Sequence, residues 1–468
     1  MIFVANKVSR SGESGQNNEQ KNRKNVDKKD LFSLTETEKK LLDSVRTLEG
    51  ETLTDIANHA GLIVQTASSL STGLENARMI YKDDNTRRHI QTDYGYFMGV
   101  SIGSAHVSVA ICNFAFDYIR TDKVAQHLEK NSVYLPHCPR GGAKTNYWAA
   151  KGFRLAADTE DCPSCMRTNA GEEPYAVWRA DTEIGKPFDM STAVNDLAKF
   201  AIELKKKGLN LLSISYAFPG HVDVKENKII RSNKPEFSII NTPADELPFV
   251  DTVDQLNELG IKLFVDNHSA ACAVAELHHS KGCLQNKTEA DSNSAVIYLG
   301  GSGFGISFVL DNNIYRGKTS QAGTNFGHTP IKFGKFTRDD KCDCGQYGCF
   351  EKKIRSLFKK TSDKTDFMKK HSGSEIAAFL NKEENAAVKQ KFCEYMFRAT
   401  WSTISLFEID HLIWSGKGAV VFSDSLQGQF KNQFLMVERG PKISVSNLGI
   451  FAPVTGVAIN GFYRLING

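Results

Sequence analysis

No run of eighteen apolar residues occurs in this chain of 468, and the opening stretch MIFVANKVSRSGESGQNNEQ lacks a sustained apolar segment followed by a small-residue cleavage site. These absences argue against a spanning helix and a secretory leader, so a cytoplasmic protein with no membrane partner is expected. A surplus of one charge sign is missing too. The formal net charge is +4, so whole-chain electrostatics do not announce a nucleic-acid partner, and any such partner must meet a local patch. What is present is ordinary for a globular protein, and the length leaves room for about three domains. In a reducing compartment the ten cysteines read as thiols or metal ligands more readily than as disulfides.

The densest chemistry is Cys342-Asp343-Cys344-Gly345-Gln346-Tyr347-Gly348-Cys349, three thiols within eight residues, 14 positions after Gly327-His328. His328, Cys342, Cys344 and Cys349 make a donor set for tetrahedral zinc, and the glycines let the loop fold back until the sulfurs converge. Four protein ligands leave no open position for a reactive water, so the site is structural. A cluster of reduced thiols is the competing reading. His137-Cys138 with Cys162-Pro163-Ser164-Cys165 has spacing for a second metal, and a redox or purely structural role is equally open. Cys112, Cys272, Cys283 and Cys393 lie in apolar surroundings and read as core. His278-His279, at a helix end, reads as a solvated pair. Tyr395, Phe397, Trp401 and Phe407 read as the buried face of a helix.

Residues 1–30 hold seven Lys/Arg against four Asp/Glu with few large apolar residues after Val8, a composition expected to stay disordered as a basic tail. From Leu34 the pattern changes. Thr35 with Glu38 forms a capping box ahead of Leu41, Leu42, Val45 and Leu48 on one helical face. A second helix is expected over 52–59, a turn at Gly61, and a third from Ile63 to Glu75 burying Val64, Ala67, Leu70 and Leu74. Residues 77–88 follow as a short strand and turn. The whole of 31–92 therefore has the layout of a winged helix-turn-helix. From Tyr94 onward strands alternate with helices, which argues for α/β layers. Phe97–Cys112 reads as two strands about a turn, and 121–190 as a long insertion.

These residues resemble the ROK family of repressors, open reading frames and kinases, within the actin-like sugar kinases. The resemblance covers 35–468 and rests most on Gly327-His328 with the CxCGxxGCxE run ending at Glu351. Pro219-Gly220, Ser232-Asn233, Val265-Asp266-Asn267-His268-Ser269, Ala275-Glu276-Leu277, Gly301-Ser302-Gly303-Phe304-Gly305 and the stretch from Asn447 to Asn460 support it. It implies an actin-like (ribonuclease H-like) two-lobed α/β sugar-kinase fold behind a winged-helix DNA-binding domain. The lobes are expected over 93–250, completed by 440–468, and over 251–439 with the zinc motif.

The resemblance also shows what has changed. The first glycine turn, Ser101-Ile102-Gly103-Ser104-Ala105-His106, lacks the acid that helps place Mg-ATP in family kinases, and His268 stands where they carry the catalytic Asp. A slip of one residue would put Asp266 or Asn267 there instead. Asn233, Asn267, His328 and Glu351 match sugar-contacting positions, and Asn325 replaces a family Glu. With His268 in place of Asp, two negative charges leave the pocket, which favours a neutral or anionic ligand, a sugar or sugar phosphate. A pocket that binds nothing is the alternative.

A winged helix ahead of a ROK body is the arrangement of the family's regulators, which implies operator DNA as partner and a homodimer or homotetramer. Yet Ile63–Thr72 contains neither Arg nor Lys. Gln65, Thr66, Ser68 and Ser69 are the candidate base or phosphate contacts, with Arg78, Arg87 and Arg88 among the charges expected to meet phosphate. The function expected is a DNA-binding regulator, a repressor of carbohydrate metabolism, whose lobes close on an inducer and respace the DNA-binding heads. The alternatives are a ROK ATP-dependent sugar kinase with altered catalytic residues and a zinc-stabilised interaction module.

Overall fold

A computed structural model of the chain describes residues 30–103, 106–120, 123–124, 153–155, 176–182, 190–232, 239–247, 252–285, 293–301, 303–332, 334–358, 371, 373–422, 428, 430, 432 and 440–467. The tail over 1–29, His137, Cys138, Cys162, Cys165 and Asn233 lie outside them. The chain divides into two compact units, one up to Gln91 and one over Thr92–Asn467.

The first unit contains three helices and a hairpin. Thr35 caps α1 (Glu36–Thr47): its hydroxyl accepts from Glu38 N at 3.3 Å, and its own N–H donates to Glu38 Oε2 at 2.9 Å. Leu41, Leu42 and Val45 are buried on one face of α1. Thr52 caps α2 (Leu53–His59), Gly61 turns the chain at φ +66°, and α3 (Val64–Asn76) follows. The hairpin pairs β1 (Ile80–Lys82) with β2 (Arg88–Ile90), Ile80 opposite Ile90. Helix α3 buries Ala67, Ser71 and Leu74, a stripe at i, i+4 and i+7. Val64, expected inside, is 41% exposed because it sits one turn ahead of that stripe.

The second unit is built on two sheets. The first runs β11-β7-β3-β4-β6-β5, with β3 (Tyr96–Ile102) and β4 (His106–Cys112) antiparallel, β6 (Val177–Thr182) and β5 (Phe153–Leu155) beyond β4, and β7 (Leu211–Phe218) parallel to both β3 and β11 (Lys262–Asn267). The second runs β14-β13-β12-β15-β16, centred on β12 (Ser294–Leu299), with β13 (Phe304–Leu310), β14 (Asn313–Tyr315), β15 (His411–Ser415) and β16 (Lys442–Val445). A small sheet of β8 (Gly220–Asp223), β9 (Lys228–Ser232) and β10 (Ile240–Pro243) leaves the end of β7. Helix α4 (Met190–Lys206) supplies Val194, Leu197, Ala198, Ala201 and Leu204 to the first core. Helix α5 (Val253–Glu258) precedes β11 and adds Leu256. The second core includes residues of α7 (Phe350–Leu357), α8 (Gly373–Asn381) and α9 (Ala386–Ile404); the buried face of α9 is Phe392, Cys393, Met396, Ala399 and Ile404, while Tyr395, Phe397 and Trp401, with Phe407 beyond the helix end, pack half-buried against the core.

Helix α6 (His268–His278) follows β11, and α10 (Ala452–Asn467) follows β16. The two pack tightly, since a Cβ on Gly456 would lie 1.6 Å from the Ala271 carbonyl oxygen; α10 also lies close on β3, where a Cβ on Gly99 would lie 2.1 Å from the Val454 carbonyl oxygen. The segment Gly449–Asn467 is long and apolar enough to cross a membrane, but 78% of it is buried in the protein, which accounts for its composition.

Three expectations differ from this arrangement. Strand β11, placed with the second lobe, pairs with the first sheet, and β16, placed with the first, joins the second; alternation identifies a strand but not the sheet it joins. Part of the stretch read as an insertion, Phe153–Leu155 (β5) and Val177–Thr182 (β6), extends the first sheet. Arg179 and Asp181 make β6 too polar to read as a buried strand. His278-His279 is not solvated. His279 is 1% exposed and takes a hydrogen bond from Lys281 N on Nδ1 at 3.1 Å, while His278 Nδ1 lies 3.1 Å from the Tyr463 hydroxyl.

Candidate metal cluster, ligand pocket and DNA-facing helix

His328 closes a short 3-10 turn (Phe326–His328), and Cys349 caps α7. Between them the chain doubles back: Cys342 N donates to Gln346 O at 2.8 Å, Gly345 N to Cys342 O at 2.9 Å, and Gly345 and Gly348 take φ of +92° and +74°. The four donor atoms of His328, Cys342, Cys344 and Cys349 all lie within 4.8 Å of one another. His328 Nδ1 is 3.6 Å from Cys342 Sγ, and the sulfurs of Cys344 and Cys349 are 3.7 Å apart. Ligands at 2.3 Å (sulfur) and 2.0–2.1 Å (nitrogen) on the corners of a tetrahedron would stand about 3.8 Å and about 3.5 Å apart. The spacing fits zinc. Burial raises and the His328 ring lowers the Cys342 thiol, leaving it at about 7, whereas burial and the charge of Cys342 push Cys349 up. Three thiolates this close repel unless a cation sits among them.

Behind the loop, Asp340 accepts from Thr337 N at 2.8 Å, from Lys332 Nζ at 2.5 Å and from Lys353 Nζ, and these partners hold its carboxyl well below the usual range. Gly348 N donates to Asp340 O at 3.0 Å. A backbone and charge brace thus holds the loop independently of any ion.

Of the residues matched to ligand contacts, His268 sits between the two sheets. His268 is the first residue of α6; its Nε2 lies 3.1 Å from Ser101 Oγ, and its ring stacks on Tyr298 at 5.3 Å and 9°. The two positions that resemblance assigns to lost kinase acids therefore bond each other. Asp266 is spent elsewhere: Arg316 binds both its oxygens at 2.7 and 2.8 Å, and Asn460 donates at 3.0 Å. Asn267 caps α6, accepting from Ser269 N at 2.8 Å and donating to Gly220 O at 2.5 Å. Glu351 pairs with Arg355 at 2.6 Å, and a Cβ on Gly327 would lie 2.8 Å from Glu351 Oε2. Asn325 is exposed.

Sequence reasoning missed several neighbours. His221 on β8 has Nδ1 3.2 Å from Thr324 Oγ1; burial lowers its pKa, and the charge of His328 acts the same way. The ring of His106 covers Gly103, where a Cβ would come within 2.2 Å of it. Tyr298 covers Gly300 and Gly416, where a Cβ would lie 2.8 and 2.7 Å from its ring. A tyrosine two residues before a glycine turn, and a histidine three residues after Gly103, were the available signals.

In the first unit Gln65, Thr66, Ser68 and Ser69 are all exposed on α3, and Arg78 is exposed just after it. Arg87 is half-exposed and donates to the Gly50 carbonyl at 2.7 Å. Arg88 departs from expectation. Its side chain is only 11% exposed, 3.3 Å from Glu75 and 3.2 Å from Ser71 Oγ, so it ties the hairpin to α3 instead of facing phosphate.

Residues 186–459, more than half of the chain, match the model of the ROK family. The chain belongs to the ROK family. Among curated relatives, the xylose repressor of Caldicellulosiruptor bescii is 28% identical over 142 residues, 30% of each chain. The xylose repressor of Bacillus subtilis is 26% identical over 154 residues, 32% of this chain and 34% of that protein. These matches span about a third of the length of either relative. Among solved structures, a ROK family transcriptional regulator described as a homologue of the Escherichia coli MLC protein superposes with a TM-score of 0.57. It is 16% identical and covers 92% of this chain and 100% of its own, a likeness of fold. The actin-like ROK fold expected from sequence is thereby borne out.

Proposed function

We propose that this ROK protein is a DNA-binding transcriptional regulator, a repressor of carbohydrate metabolism, that senses a sugar or sugar phosphate without phosphorylating it. The observation that carries the reading is the His268–Ser101 hydrogen bond under the Tyr298 ring. A kinase needs a base in reach of the sugar hydroxyl and open backbone for phosphate. Here the base position bonds the ATP-site position, and the rings of His106 and Tyr298 pack on Gly103 and on Gly300 and Gly416. What remains is a binding body joined to three helices and a hairpin, 31–92 serving as the winged helix and 93–468 as sensor. The xylose repressors among its relatives support the repressor reading.

In this reading zinc occupies His328, Cys342, Cys344 and Cys349 and keeps the turn that carries His328 in shape. The effector meets His328, Glu351 and His221, and Asn325 and His268 are further candidate contacts; Asn233 and Asn267 keep only the match by resemblance. Operator DNA meets Gln65, Thr66, Ser68 and Ser69. The test pairs two assays on the full chain: ATP consumption against hexoses, pentoses and N-acetylated sugars, and release of a selected DNA duplex by the same sugars and their phosphates. No turnover with sugar-dependent release supports the reading. Turnover by the wild type overturns it in favour of a sugar kinase.

A further inference from the structure

The leading end of α3 presents an anomaly. Ile63 is 68% exposed and Val64 41%, two β-branched apolar side chains side by side at the tip of a helix whose remaining outer face is Gln65, Thr66, Ser68, Ser69 and Thr72. Contiguous exposed apolar side chains mark contact surfaces more often than isolated ones do. The face they lead is neutral, made only of amide, hydroxyl and alkyl groups. Residues 30–91 as a whole hold seven Lys/Arg against ten Asp/Glu, so ionic attraction to phosphate cannot come from the folded unit's net charge. The adjoining residues 1–29 supply it, with seven Lys/Arg against three Asp/Glu, as do the exposed Arg78 and Lys82 beside the helix.

That division of labour selects one occupant. The residues at the start of a recognition helix are those that reach base edges, and in the major groove the one apolar feature is the thymine 5-methyl group; a glutamine reads adenine beside it through N6 and N7. We infer that Ile63 and Val64 seat against thymine methyl groups in the major groove, so that the cognate duplex carries adjacent T·A pairs at this step, with Gln65 reading a neighbouring adenine. The inference rests on the proposed operator-binding role and adds its base preference.

The experiment uses the full chain. Duplexes are first selected from a random-sequence library, then resynthesised with deoxyuridine for each thymidine, which deletes the methyl and nothing else. Each methyl lost should weaken binding about fourfold, the worth of one buried carbon. Ile63→Ala and Val64→Ala, both at exposed positions, should bind the thymidine duplex less tightly and no longer distinguish it from its deoxyuridine form. Wild-type protein that selects a duplex but binds both forms equally overturns the inference and leaves the operator-binding role standing. Failure to enrich any duplex removes both. Substitutions that change the sedimentation of the free protein while leaving the thymidine preference intact would assign the apolar pair to a second copy of the chain and overturn the inference.

Discussion

Asp266→Asn should destabilise the ROK body more than any surface substitution. Asp266 is buried, and its carboxylate takes two hydrogen bonds from Arg316 and one from Asn460. Neutralising it leaves a guanidinium whose side chain is only 20% exposed without its counter-charge. Breaking one side of a buried pair costs about 3–5 kcal/mol; Arg316's partial exposure puts this case at the lower end, about 3 kcal/mol. A unit of about 380 residues unfolds with an entropy of about 0.8 kcal/mol per degree, so its melting temperature should fall by ~4 °C. Scanning calorimetry gives that number directly. Adding Arg316→Met removes the stranded charge and should recover about half of the loss. A single variant that melts within about 1 °C of wild type, or a double variant whose losses simply add, would refute the pairing argument.

The remaining expectations are quicker to state. Cys344→Ser should abolish stoichiometric zinc by metal analysis and lower the melting temperature, yet leave the 337–349 turn protected from proteolysis, because Asp340 braces it with Lys332 and Lys353. Burial depresses His279 to about 4, so its neutral form contributes stability fully present above its unfolded value near 6.5 and lost as pH falls from there toward 4. Urea unfolding at pH 7 and pH 4.5 should show wild type losing about 2–3 kcal/mol more than His279→Gln across that interval; equal losses would mean that the buried ring does not resist protonation. Arg88→Ala should lower the stability of the N-terminal unit, whereas Lys82→Ala should flatten the slope of log affinity against log salt by about 0.9 and leave stability alone. Band-shift titrations and thermal melts separate the two.

Local patterns were legible and distant pairings were not. The capping box at Thr35, the three N-terminal helices, the strand on either side of Gly103 and the four metal donors each depend on residues within a few turns or one loop, and their spacing was enough to place them. The His268–Ser101 bond joins residues 167 apart, and the Asp266–Arg316 pair joins residues 50 apart; nothing in either local segment names its partner. Asn267 illustrates the same limit. Its amide matched a sugar-contacting position, but the structure spends that side chain on capping α6 and holding Gly220. Val64 had the residue type and the spacing of a core position, three residues before Ala67, and only the exposure of the helix's first turn shows that nothing covers it.

Between the sheets the backbone crosses from β11 into α6 at Asn267-His268 and from β16 toward α10 near Gly449. His268 stands at the first crossing and touches one residue of each sheet, Ser101 on β3 and Tyr298 on β12. A single side chain therefore couples the two sheets, and a substitution that displaces its ring disturbs a contact on each of them at once. Strain at that one ring is therefore shared by both sheets, and neither can relax there alone.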